Sequence, residues 1–302
     1  MKFSSFLRIH WAALRALLVL TVVTGLAYPL FVWLLAQIPG LHDKAEGSML
    51  AVNGRPVGSR LIGQLFTDSD GTPLPQYFQS RPSAAGHGYD PLSSGASNLG
   101  PENIVDTPGK PSLLTQVCTR SIAVGRLEGV DGSRPFCTGG GVGAVLSVIG
   151  PRDARGNVVA PTRVVSVNEP CASTSTPFLA SYERVRVECA KDGPHSHEDY
   201  SIGQIVPIRG AAPADPVVPA DAVTASGSGL DPDISPAYAD LQVARVARAR
   251  RVSPEQISKL VAQHRNGRTL GFFGEPTVNV LQLNLQLDHW YPLTGAAPAD
   301  HG

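Results

Sequence analysis

The sequence predicts an α+β protein: one N-terminal transmembrane helix followed by an extracytoplasmic α+β domain with a β-rich insertion. Three observations predict it. The run Ala16–Ala36 holds 21 residues and no charge. The runs Val142–Ile149, Val164–Val167 and Tyr182–Val187 are β-branched and separated by Gly, Pro and Asn, as short antiparallel strands are. Late in the chain, Ser235-Pro236 and Ser253-Pro254 give helix-start signals ahead of helically spaced apolar residues.

The first of these sets the topology. At about 1.5 Å rise per residue, roughly 20 apolar residues cross a hydrocarbon core of about 30 Å. Arg15 precedes the run and can reach the headgroups, and Trp11 and Trp33 lie near its ends. Pro29 should kink the helix rather than end it. A cleaved signal peptide, cut near Ala27, is the competing reading, but its apolar region is ordinarily only about 7–15 residues. Lys2, Arg8 and Arg15 precede the span with no acid among them, whereas Asp43, Lys44 and Glu46 follow it. That bias places the N-terminus in the cytoplasm and the bulk of the chain outside it. The expected division is 1–15 cytoplasmic N-terminus, 16–36 transmembrane helix, 37–130 first part of the extracytoplasmic domain, 131–210 β-rich cysteine-containing insertion, 211–290 second part, and 291–302 disordered tail.

Lys+Arg and Asp+Glu each number 25, so there is no net charge and no basic field for nucleic acid. Gly at 31 and Pro at 26 predict many turns. Four cysteines, all after the span, can pair in an oxidising compartment.

Residues 40–60 read as a polar lead-in, and Ser59–Phe66 as a short apolar strand or helix. Asp68–Pro75 carries turn signals. Residues 83–103 are a long loop of Gly, Ser, Asn and Pro, of a length that is usually functional or disordered. Ser112–Leu127 is spaced as a helix. Ala211–Pro219 reads as a linker. The helix opened by Ser235 should run to about Arg250, burying Leu241, Val243 and Val246. Its Arg245, Arg248, Arg250 and the following Arg251 suit the negative end of the helix dipole. Ser253 and Gln256 form a capping box for the next helix, with Ile257, Leu260, Val261 and His264 on one face. Val280–Leu287 alternates like a strand, yet its Leu and Gln residues favour a helix capped by Asn279.

Few residues suggest chemistry. Gly139–Gly143 is glycine-rich but lacks the Lys-Ser/Thr of a phosphate loop. His195, His197, Glu198 and Asp199 lack metal-ligand spacing and read as a solvated loop. Ser226, Ser228 and Asp231 have no G-x-S-x-G elbow and no nearby histidine. Ala225–Pro232 reads better as a backbone-shaping loop ahead of the Ser235 cap. No metal and no resident cofactor are expected.

Taken together, Gly58–Phe66 (GSRLIGQLF), Tyr77–Ser83 (YFQSRPS), Ser94–Asn103 (SGASNLGPEN), Val223–Pro236 (VTASGSGLDPDISP) and Gly271–Asp288 (GFFGEPTVNVLQLNLQLD) resemble the C chain of the Kdp potassium-transporting P-type ATPases. The resemblance covers about 1–128 and 211–290. Segment 131–210 departs from it and is expected to be lacking in ordinary members.

The resemblance implies an accessory subunit of an ATP-driven potassium importer. Its partners would be a channel-like A chain, a B chain whose substrate is ATP, and membrane lipid. It also implies a catalytic-chaperone role that raises the nucleotide affinity of the B chain, tied in the family to a Leu-Ser-Gly-Gly-type stretch. Here the corresponding residues are Leu92-Ser93-Ser94-Gly95-Ala96-Ser97, which depart from that pattern. The topology also puts them away from cytoplasmic ATP. Partner contacts are expected instead at Gly25 in the span and at Asn98, Gly100, Pro101, Ser226, Gly227, Gly229, Asp231 and Pro232. Four cysteines allow three pairings. The favoured one joins Cys171 to Cys189, clipping the Tyr182–Val187 strand to the loop before it, and Cys118 to Cys137. A membrane-anchored extracytoplasmic hydrolase using Ser226 or Ser228, and a structural cell-envelope protein, are the alternatives.

Overall fold

The computed structural model describes residues 3–193 and 196–293. The chain separates into two units, Met1–Leu61 and Ile62–Gly302.

In the first unit, α1 (Phe3–Val22) passes through a five-residue π-turn, Val23–Ala27, into α2 (Tyr28–Ala36). Residues 3–15 continue the same helix. The stretch Phe6–Ala36 is long and apolar enough to cross a membrane. The π-turn is the helix's answer to Pro29. Proline has no N–H, and its ring crowds the carbonyl four residues back, that of Gly25. Widening the preceding turn relieves this, with the Tyr28 N–H donating to Val23 O. After the short α3 (His42–Ala45), β1 (Met49–Val52) and β2 (Arg55–Ser59) form an antiparallel hairpin. Its turn is Asn53-Gly54, with φ of 51° and 78°, the pair of positive angles that a two-residue hairpin loop requires. Residues 60–66, expected as strand or helix, form neither.

The second unit holds two apolar cores. One lies between α4 (Leu113–Glu128), α5 (Pro236–Arg250), α6 (Pro254–Gln263) and α7 (Val280–Trp290) and includes Phe78, Ile234, Val246, Ile257, Leu283 and Leu287. Each helix begins as its sequence directs. Ser112, Ser235 and Asn279 accept from Thr115, Tyr238 and Gln282 N–H, and Ser253 with Gln256 closes the capping box. Three short strands, β10 (Asp233–Ile234), β11 (Arg265–Asn266) and β12 (Thr277–Asn279), pair antiparallel in the order β10-β12-β11. The supposed linker 211–219 is anchored here, since Val218 is buried in this core.

The other core belongs to a five-stranded sheet built from β3 (Val145–Ile149), β4 (Arg163–Pro170), β5 (Ser181–Tyr182), β6 (Val185–Ala190) and β9 (Gln204–Pro207). The order is β5-β6-β4-β3-β9. β7 (Asp192–Gly193) and β8 (Ser196–His197) form a separate small hairpin. Leu146, Val148, Val164 and Val187 fill the sheet's core. Two expectations are corrected. Not every pairing is antiparallel, because β4 and β6 run parallel. Nor is Tyr182–Val187 one strand: Glu183 and Arg184, at φ 46° and 69°, turn the chain back between β5 and β6. The Cys171–Cys189 disulfide spans this region at Cα–Cα 5.0 Å, and Cys118–Cys137 ties α4 to the loop after it at 5.5 Å.

Candidate functional site

Two polar assemblies in the second unit are built from residues far apart in sequence. The first fixes the backbone of 75–79. Phe78 is fully buried, and both of its main-chain groups are met by Asn284 of α7: the Phe78 N–H donates to Asn284 Oδ1 and Asn284 Nδ2 donates to Phe78 O, each at 2.9 Å. Gln242 of α5 does the same for Gln79, accepting from its N–H at 2.6 Å and donating to its carbonyl at 3.1 Å. Arg245 donates to Pro75 O and Tyr77 O, and its Nε pairs with Glu128 of α4 at 2.9 Å. Burial pushes the Glu128 carboxyl up, against the pull of Arg245. Arg250 donates to Gln76 O and pairs with Asp288 at 2.7 Å. Arg245 and Arg250 were expected to serve the helix dipole. They are instead buried clamps on the main chain of a turn and the non-sheet residues that follow it.

The second assembly joins the loops 83–95 and 225–231. Ser226 is buried, and its Oγ accepts from the N–H groups of Gly229 at 2.9 Å and Asp231 at 3.4 Å. Gly95 N–H and Ser94 Oγ both donate to Ser228 O at 2.9 Å, and Ser83 Oγ donates to Gly229 O at 2.7 Å. Gly229 has φ +72°, and a Cβ there would stand 2.5 Å from that of Ala85. Asp231 pairs with Arg81 at 3.1 Å and accepts from Ser228 Oγ at 3.2 Å. The Pro232 carbonyl accepts from Val280 N–H at 3.1 Å, at the start of α7. Tyr89 donates its hydroxyl to Arg81 O at 2.7 Å, and burial pushes its phenol up to about 12.

The structure thus places the expected residues in two groups. Ser94, Gly95, Ser226, Gly229, Asp231 and Pro232 are engaged within the protein. Leu92, Ser93, Ala96, Ser97, Asn98, Pro101 and Gly227 are exposed on the surface, and Gly100 is half-buried. Asn98 is held at φ 54°. Gly25 is exposed in the π-turn of the long helix. No histidine hydrogen-bonds to Ser226 or Ser228 among the described residues, and Ser228 Oγ donates to Asp231 Oδ1, a carboxylate already paired with Arg81. Glu198 pairs with Arg163 at 2.7 Å, and Asp199 caps a short turn through Ser201 N–H, while His195 lies outside the described residues. Sequence reading missed Gln79, Gln242, Asn284 and Glu128. Each is a polar residue whose buried partner is main chain or charge distant along the chain.

The chain matches the family described as "KdpC: K+-transporting ATPase, c chain" over residues 10–109 and 197–289. Among similar proteins is the potassium-transporting ATPase KdpC subunit of Kineococcus radiotolerans, 37% identical over 94% of this chain and 95% of that one. The KdpC subunit of Koribacter versatilis is 34% identical over 91% of each chain. That of Mycobacterium tuberculosis is 34% identical over 91% of this chain and 95% of its own. The family match breaks between 109 and 197, a stretch that holds α4, all four cysteines and most of the five-stranded sheet. The break covers most of the segment 131–210 that was expected to depart from the family. The two-part family match and the near full-length relatives together show that this chain belongs to the KdpC family, the c chain of K+-transporting ATPases.

Proposed function

We propose that this subunit acts in potassium transport through contacts alone, docking on a channel-like A chain and an ATP-hydrolysing B chain, with no chemistry of its own. The observation that carries this reading is the Ser226-centred loop cluster. Ser226 Oγ is engaged by the N–H groups of Gly229 and Asp231 and Ser228 Oγ by the Arg81-paired Asp231, while Leu92, Asn98, Pro101 and Gly227 are left exposed on a fixed backbone. Such a surface is shaped for recognition rather than reaction. The N-terminus is cytoplasmic and the second unit extracytoplasmic. The Lys2, Arg8 and Arg15 bias supports this, as do two disulfides of the kind that persist in oxidising compartments. On that topology, any gain in the B chain's ATP affinity is transmitted through the complex. The stretch Leu92–Ser97 does not touch nucleotide.

A tagged chain drawn from solubilised membranes should bring both partner chains with it. Asn98→Ala should lower potassium-dependent ATPase activity of the complex while leaving the thermal midpoint of this subunit unchanged. Recovery of the chain without partners would overturn the reading, as would ATP hydrolysis by this chain by itself. A cytoplasm-only reporter fused after Asp288 should be silent, and activity there would reverse the topology.

A further inference from the structure

A cleft of about 550 Å3 opens beside α4, walled by Leu65, Val124, Leu127, Pro82 and Tyr238. Its size is that of small-molecule sites, which are mostly apolar with a few placed polar groups. Its polar lining is Gln79, Ser80 and three cations, the half-buried Arg81 and Arg120 and the exposed Arg126. Arg120 is half-buried, and its guanidinium donates only to neutral oxygens, Val223 O at 3.0 Å and Gln116 Oε1 at 3.2 Å. Neither Arg120 nor Arg126 makes an ion pair among the described residues. Arg81 pairs with Asp231, yet its Nε is buried without a hydrogen-bond partner. Burial lowers the Arg120 pKa. Arg245, Arg250 and Arg163 by contrast meet carboxylates, while Arg134, which donates to Ser121 Oγ and Val218 O, resembles Arg120 but does not line this cleft. A partly desolvated cation in an apolar wall is costly unless an anion joins it.

We propose that this cleft binds a small organic anion with an apolar body, its anionic head on Arg120 and its hydrocarbon against Val124, Leu127 and Tyr238. The cleft forms where α4, which lies outside the family match, meets Leu65, Arg81 and Tyr238, which lie within it. A free carboxylate and the head of an anionic phospholipid share the required chemistry.

The inference goes beyond the docking role and is tested on the full-length chain without partners, so the two can fail separately. The probe is 4-benzoylbenzoate, an aromatic carboxylate that crosslinks on irradiation, applied to the protein in neutral detergent. Mass spectrometry should find adducts on the α4 segment Ala123–Leu127 or on Tyr238. Uncharged benzophenone should label these positions about tenfold less. Arg120→Met should weaken carboxylate labelling about tenfold, the size of one charge-assisted hydrogen bond. Protection by octanoate would assign a free carboxylate as ligand. Protection by soluble dihexanoyl-phosphatidylglycerol would assign a lipid head. Equal labelling by the uncharged probe, protection by neither competitor, or adducts confined to the long N-terminal helix would each overturn the proposal. These arms read the wild-type chain, so they stand even if Arg120→Met folds poorly. Loss of labelling only on assembly with partner chains, with no protection by either competitor, would give the cleft to a partner's acidic side chain instead.

Discussion

Asn284 satisfies both main-chain groups of Phe78, a residue 206 positions earlier in the chain. One primary amide takes the place of a neighbouring β-strand, and Gln242 repeats the device at Gln79. The segment Tyr77–Gln79 is thereby threaded between α5 and α7 without belonging to a sheet. Asn284→Ala would strand a buried N–H and a buried carbonyl together. Leaving one such group unpaired costs about 1–3 kcal/mol. The expected loss is therefore about 2–5 kcal/mol by denaturant titration. Asn284→Asp keeps the acceptor but as a carboxylate cannot donate to Phe78 O, whereas its protonated acid can make both bonds, so the substitution should cost more at neutral pH than at pH 3. A loss under 1 kcal/mol for the alanine variant would show that the segment is held by apolar packing alone.

The loop cluster gives a contrast between neighbours. Gly229 has φ +72° and Ala85 beneath it, whereas a Cβ on Gly227 meets nothing within 4 Å. Gly229→Ala should destabilise the second unit by about 1–3 kcal/mol, from backbone strain and overpacking together. Gly227→Ala should be near neutral. Equal thermal midpoints for the two variants would mean that the cluster is looser than its hydrogen bonds indicate.

Tyr89 makes an alkaline prediction. Its phenol ionises near 10 in the unfolded chain and is pushed up to about 12 in the folded one, chiefly by burial. Between those values the unfolded state binds fewer protons than the native state, so stability falls as pH rises. The contribution is whole below about pH 10 and lost through about pH 12, some 2–3 kcal/mol in all. Tyr89→Phe should flatten the stability curve over that window. It should cost about 1 kcal/mol at neutral pH through the lost bond to Arg81 O. An unchanged alkaline limb would place the sensitivity in Tyr77 or Tyr238, whose phenols burial also raises.

The disulfides are open to direct assay. Titration of the denatured, unreduced protein should find no free thiol among the four cysteines. Each bridge closes a loop with a sequence separation of 18 or 19 residues. Such a loop corresponds to about 3 kcal/mol in the chain-entropy model. Replacing Cys171 and Cys189 by alanine should lower stability by about that amount. The loss should fall on the sheet around β4 and β6, read as faster amide exchange there.

What could be read in advance was local. The caps at Ser112, Ser235, Ser253 and Asn279 each act within one helical turn, and their residue types announce them. The hairpin at Asn53-Gly54 carried an equally local signal and was overlooked within a polar stretch. The remainder depends on distant partners. Nothing near Arg245 in sequence distinguishes a dipole-facing cation from one buried on Glu128, which lies 117 residues away. The parallel pairing of β4 with β6 requires a crossover that periodicity does not encode. Ser226 draws notice in the sequence as a candidate partner contact or nucleophile. In the structure its buried hydroxyl organises the loop's backbone, and that also explains why Asp231 is a poor probe of docking: its removal would loosen the loop itself.

Gly25 offers the test of whether the long helix does more than anchor. It lies in the π-turn Val23–Ala27, and a Cβ added there meets only Thr21 Cγ2, at 4.0 Å. Leucine therefore fits the helix itself, and it favours helix over glycine by somewhat under 1 kcal/mol. Thr24 already donates its hydroxyl to Leu20 O at 2.7 Å, so it requires no polar partner from another helix. What Thr21, Thr24, Gly25 and Ala27 offer is close approach, the property that small residues bring to helix interfaces in lipid. Gly25→Leu should leave insertion and total yield unchanged. Recovery of partner chains with the tagged subunit should fall about tenfold, equivalent to about 1.4 kcal/mol of packing. Gly25→Ala, which adds one methyl, should fall between the two. Undiminished recovery with leucine would mean that this face meets lipid and that assembly rests on the second unit. A drop in insertion would point instead to the π-turn, whose geometry around Pro29 the larger side chain would then have disturbed.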